Sequence, residues 1–223
     1  MNDRLILWGM QNPVRGLLNG ISAGLALAGT IWLVVEASTT SGRLGFIVFG
    51  AGLSTLYLTS ALYHSVTWSA PTMQRMQRLD HSMIFILIAA TFTPFGVLTL
   101  EGWLRVAVLS VAWGLASIGI GAVVMGSGAA RRRRVAAMIG LGWLSVLVAV
   151  PVARQLGGGA LALLATGGAM YSIGGLLFAF GWPRLWPRAF SYHEVFHALV
   201  VLASALHFAA VYYYLLPLDV SRR

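Results

Sequence analysis

The chain contains no cysteine, which removes disulfides, thiolate nucleophiles and cysteine-based metal sites together. Any metal must be held by histidine, carboxylate or water. Only five histidines are present, His64, His81, His193, His197 and His207. Charge is equally scarce. Charged residues make up 9% of the 223 residues, against about 25% in a soluble domain, while hydrophobic residues make up 58%. Mean hydropathy is +0.81. These values exclude an ordinary soluble domain and point to an integral membrane protein that uses nearly all of its length to span. No long polar stretch is left to fold as a second unit, so residues 1–223 are expected to form a single membrane domain.

Lysine is absent as well, and arginine alone carries the net charge of +9. In a soluble protein that balance would suggest nucleic acid. Here the arginines fall between apolar runs, where they face lipid phosphates and cytoplasm. No nucleic-acid partner is expected.

A span needs about 20 mostly apolar residues. Seven such runs are legible, at about 17–36, 45–65, 81–100, 104–125, 136–153, 159–181 and 195–216. The fold class is therefore all-α, a bundle of seven transmembrane helices. The first run reads as a span rather than a cleaved signal peptide, because no small-residue cleavage site follows it. Residues 1–16, with Arg4, Trp8 and Arg15 among apolar neighbours, suggest a short interfacial helix ending at Pro13. Glycines such as those in "GLASIGIGAVVMGSG" point to close helix packing.

Loop arginines set the orientation. The N-terminal segment and the second, fourth and sixth loops hold ten arginines, including the run Arg131 to Arg134; the other side holds five. The N-terminus is thus expected in the cytoplasm and the C-terminus outside. The four-arginine run reads as a topology anchor.

This topology brings polar residues from distant parts of the chain to one depth. Ser60 and His64 lie near the cytoplasmic end of span two. Asp80 and His81 begin span three, and His193, Glu194 and His197 begin span seven. Ionisable groups within spans are costly and mark functional sites by default. His193 and His197 are i and i+4, so they share a helix face, as do Ser60 and His64. Two imidazoles from one helix and a third from another can hold zinc, with water in the fourth position, the pattern of a catalytic zinc. Adjacent residues on a helix point about 100° apart, so Asp80 and His81 cannot both face the site. Asp80 is the choice, with His81 packing behind it or against a loop. His207 lies about 15 Å deeper than His197 and reads as a packing or hydrogen-bonded histidine.

The stretch "SYHEVFHALV" also contains a literal H-E-x-x-H, the signature of zinc peptidases in which the glutamate is the base. That leaves Glu194 as an alternative base.

The blocks "STLYLTSALYHS", "RLDHSMIFILIAATFTPF" and "SYHEVFHALVVLASALHF", in this order, resemble the hemolysin III family. That family lies within the progestin and adipoQ receptor group and is similar to the wider superfamily that includes alkaline ceramidases. The resemblance covers nearly the whole chain. It implies a seven-helix bundle with zinc near the cytoplasmic face, held by the histidines that fall on His64, His193 and His197. It places an aspartate and a serine, here Asp80 and Ser60, next to the metal-bound water. Receptors of the family have the N-terminus inside, which agrees with the arginine count. In the family the residue after the first span-seven histidine is not tied to glutamate, so Glu194 reads as incidental to the motif.

The leading expectation is a zinc-dependent hydrolase of a membrane lipid, perhaps an amide of ceramide type, in the bacterial inner (plasma) membrane. The lipid substrate would lie within the bundle, Asp80 would act as base, and Ser60 would hydrogen-bond near the water or polarise the carbonyl. The alternatives are a receptor, sensor or hemolysin-type protein with a structural zinc, and an intramembrane peptidase using Glu194. Substrate identity, protein partners and oligomeric state are left open.

Overall fold

The computed structural model describes residues 12–126, 130–186 and 190–222. Residues 1–11, and with them most of the expected interfacial helix, lie outside the described residues. Among the described residues all regular structure is helical, apart from one isolated bridge between Trp186 and Phe190.

Helix α1 (Pro13–Glu36) opens on Pro13, a position where the missing amide leaves no hydrogen bond unmade. It therefore takes in residues 13–16, which the sequence assigned to an interfacial helix. Helix α2 (Thr40–Ser65) is capped by Thr39, whose Oγ1 accepts from the Gly42 amide at 2.9 Å. Helices α3 (Ala70–Thr99) and α4 (Gly102–Val124) follow. Helix α5 (Arg131–Trp143) continues through a tighter 3-10 segment, Leu144–Val148, into α6 (Ala149–Phe180). Helix α7 (Tyr192–Ala210) passes through a π-helical segment, Val211–Leu215, into the short α8 (Leu216–Val220).

Among the described residues six helical stretches are long and apolar enough to cross a membrane, which makes this a multi-pass membrane protein. The fifth stretch, Arg131–Phe180, is 50 residues long. At ~1.5 Å per residue that is far longer than a hydrocarbon core of about 30 Å. It does not run straight. Gly157 has φ 80° and ψ 173°, a backbone region essentially closed to other residues. Beyond it the chain doubles back: Trp143 Nε1 donates to Ser172 Oγ at 2.9 Å, and Gly175 packs against Val135 and Ile139. The reversal that the sequence spreads over the residues between 153 and 159 is made at one glycine.

Helices α1 to α4 pack in sequence, each on the next; α6 packs on α7, and α7 returns against α1. In the most apolar window of each helix, half of α2 and 67% of α3 is buried, against 22% for α1 and 17% for α4. The centre of the bundle is therefore built on α2 and α3. Phe46, Phe49, Leu53 and Leu56 of α2 pack with Leu87, Phe95 and Leu98 of α3 and with Val200, Val211 and Leu215. Of the glycine-rich stretch singled out above, Gly119 meets Phe85 closely, whereas Gly114 has open space around it.

Helix α3 begins at Ala70 rather than near 81, so Asp80 lies inside the helix instead of at its start. At the far end, the fully buried Asp219 of α8 accepts hydrogen bonds from the Ser38 amide at 2.8 Å, the Thr39 amide at 3.2 Å and the Thr39 hydroxyl. It pins the chain's last helix to the α1–α2 connection.

Candidate metal centre

The last turn of α2 carries His64, and Ser60 lies one turn earlier on the same face; each is 2% exposed. The first two turns of α7 carry His193 and His197. Their i, i+4 spacing stacks the two rings at 5.0 Å with only 12° between their planes. His64 meets both edge-on, at 5.2 Å from His193 and 5.0 Å from His197. One donor nitrogen from each ring lies within 4.8 Å of the other two. The three imidazoles can hold one metal ion.

The donor set fits zinc on its own chemistry. His197 Nε2 is buried and has no hydrogen-bond partner among the described residues, an arrangement that proteins avoid without a reason. Neutral imidazoles are good zinc donors, and three of them leave a fourth position open.

The start of α7 is fixed by a capping box. Glu194 Oε2 accepts from the Ser191 amide at 2.8 Å. Its other oxygen, Oε1, takes Arg15 Nε of α1 at 2.6 Å. Both oxygens of this 6%-exposed residue are thus engaged away from the three rings. One turn after Arg15, the buried Asn19 donates to the Arg15 carbonyl at 2.8 Å and lies 3.2 Å from His197 Nδ1. The Asn12 amide donates to the His64 carbonyl at 3.0 Å, so the start of α1 also touches the end of α2.

A cavity of about 270 Å³ extends from this cluster between the helices. Ser60, Asp80, His193 and His197 line it, and its walls include Phe92, Phe95, Met138 and Val152. His81 lines the same cavity, so it does not turn away entirely as the helix geometry implied. His207 is apart from the three-ring group. Its Nε2 lies 3.2 Å from the Leu164 carbonyl and its ring meets Tyr171 edge-on.

Sequence reasoning missed Arg15 and Asn19 as neighbours of the centre. Their i, i+4 spacing across the start of the first apolar run was the available signal. It also missed a polar group deeper in the bundle, where Ser204 Oγ receives Tyr57 OH at 2.8 Å and lies 2.6 Å from Tyr171 OH.

A family model described as Haemolysin-III related matches residues 10–208, a range that contains all of these residues. The chain belongs to the haemolysin-III related family. It is 35% identical over 214 residues to Hemolysin-3 of Bacillus cereus, covering 93% of each chain. It is 29% identical over 210 residues to the Hemolysin-3 homolog of Bacillus subtilis (strain 168), covering 92% of this chain and 94% of that one. The haemolysin-III family sits within the progestin and adipoQ receptor group, as the sequence blocks implied.

Proposed function

We propose that this haemolysin-III family member is a zinc-dependent hydrolase of a membrane lipid amide. The observation that carries the reading is the three-imidazole cluster opening onto an apolar-walled cavity that also holds Asp80 and Ser60. We place it in the bacterial inner membrane as one seven-crossing domain, the Arg131–Phe180 stretch crossing twice around Gly157. The N-terminus is then cytoplasmic and the C-terminus outside, in line with the arginine distribution.

His64, His193 and His197 would hold the metal. Zinc bound there would supply Lewis acidity that makes the attacking water easier to deprotonate. Asp80 accepts the proton from the attacking water as its oxygen bonds to the carbonyl carbon. It then returns the proton to the departing nitrogen as the C–N bond breaks. Ser60 donates a hydrogen bond to the carbonyl oxygen where negative charge develops. The apolar wall of Phe92, Phe95 and Val152 takes the acyl chain and excludes water from it. Asn19 orients His197 through the far ring nitrogen. The contact is made by the Asn19 side-chain nitrogen Nδ2, 3.2 Å from His197 Nδ1, and would hold the ring in its orientation.

The engaged oxygens of Glu194 speak against a peptidase that uses it as base. A receptor with a structural metal tying α2 to α7 uses the same three rings. Metal analysis and turnover on a panel of lipid amides and esters, for wild type and Asp80→Ala, separate the two. A metal-loaded wild type inactive on every lipid, with Asp80→Ala changing nothing, would sink the hydrolase.

A further inference from the structure

A second cavity, of about 320 Å³, lies between α3, α4 and α5. Its polar side is formed by Gln77, Arg78 and His81 of α3 with Arg133 and Arg134 of α5. Its other side is apolar, with Phe85, Gly119 and Val123. Among the described residues no carboxylate lines it, and none of its three guanidinium groups forms an ion pair.

The four-arginine run is not one uniform anchor. Arg131 lies over the rings of Phe178 and Tyr192, at 5.3 Å and 5.6 Å, and Arg132 over Phe180 at 4.8 Å. These two cations are taken up by aromatic faces. Successive helical residues are turned by about 100°, and Arg133 and Arg134 line the cavity instead. Arg78 joins them from α3, held by donating Nη1 to the Val124 carbonyl at 3.1 Å. Gly126, at φ 64°, leaves room beside that guanidinium: a Cβ there would stand 3.2 Å from Arg78 Nη2.

Arg78 and Arg133 are exposed and Arg134 is half-buried, so water screens their mutual repulsion, and the hollow offers an entering anion three guanidinium groups from two helices. Guanidinium forks match phosphate oxygens in geometry as well as charge. The apolar side and the position on a membrane helix bundle suit a phosphate that carries acyl chains. We propose that this cavity binds the phosphate of an anionic lipid headgroup. The proposal stands apart from the metal centre, although His81 and Arg134 line both cavities and form the wall between them.

The test uses the full chain purified in an uncharged detergent. Its thermal midpoint is followed against rising dioctanoyl phosphatidic acid, dioctanoylglycerol or inorganic phosphate. Phosphatidic acid is expected to stabilise the wild type, and dioctanoylglycerol is not. Arg78→Gln/Arg133→Gln should need about tenfold more phosphatidic acid for the same shift, the loss expected for charge-assisted hydrogen bonds. Arg131→Gln/Arg132→Gln removes the same charge and should bind as wild type does. The single Arg78→Gln variant is read in parallel, so that the test survives poor folding of the double variant. Equal stabilisation by dioctanoylglycerol overturns the proposal, and so does equal weakening in both double variants. Inorganic phosphate acting at the same concentration as phosphatidic acid overturns it too, since the ligand is then the free ion.

Discussion

Arg15 Nε lies 2.6 Å from Glu194 Oε1, joining the first turn of α1 to the first turn of α7 across 179 residues of sequence. The next residues on the same faces are Asn19 and His197, which also touch. The two helices are thus clamped by a charged pair at the rim and by an amide–imidazole contact just inside it. The glutamate that makes the H-E-x-x-H string look like a peptidase belongs to the clamp.

Glu194→Gln is therefore expected to lower thermal stability, by about 1.5–3 kcal/mol for a charged hydrogen-bonded partner that is largely buried. It should leave metal content and turnover close to wild type. Asp80→Asn should do the reverse, keeping the fold and the metal and abolishing turnover. If Glu194→Gln loses turnover and Asp80→Asn keeps it, the base is Glu194.

Elemental analysis of the purified protein should find one zinc per chain. His64→Ala, His193→Ala and His197→Ala should each lose it. His207→Ala should keep it, because that ring is bound to the Leu164 carbonyl and stands outside the three-ring group.

Asn19→Leu keeps roughly the shape of the side chain and removes the hydrogen bond to His197. Loss of such a partner is expected to weaken metal affinity by about 10–100-fold, measured by competition with a chelator. An unchanged affinity would reduce Asn19 to helix packing.

Asp219→Asn replaces an acceptor of three hydrogen bonds at the opposite end of α1. It should cost about 1–3 kcal/mol of stability with metal content unchanged. A loss of metal in this variant would mean that the two ends of the bundle are coupled.

The meeting of His64, His193 and His197 could be read from the sequence because depth in a membrane follows from hydropathy, and i, i+4 spacing fixes a face. Which helix stands beside which is not written in hydropathy. The Arg15–Glu194 and Asn19–His197 contacts depend on α7 closing against α1, and nothing in either run alone demands that. The arginine run shows the same limit. Its charge set an expected side of the membrane, but only the rotation of α5 against α3 and α6 divides it into two aromatic-bound residues and two that face a cavity. The break at Gly157 was visible as an interruption between two apolar runs. That one residue suffices follows from a backbone conformation that composition does not encode.

The order of the three imidazoles along the chain has a consequence for biogenesis. His64 is synthesised early and His193 and His197 near the end. At ~5–20 residues per second His64 waits on the order of ten seconds before its partners exist. The three-ring group cannot assemble until α7 is in place beside α2, so under the proposed function metal uptake would report a finished insertion. A chain stalled or misoriented before α7 should be distinguishable from a mature one by its metal content alone.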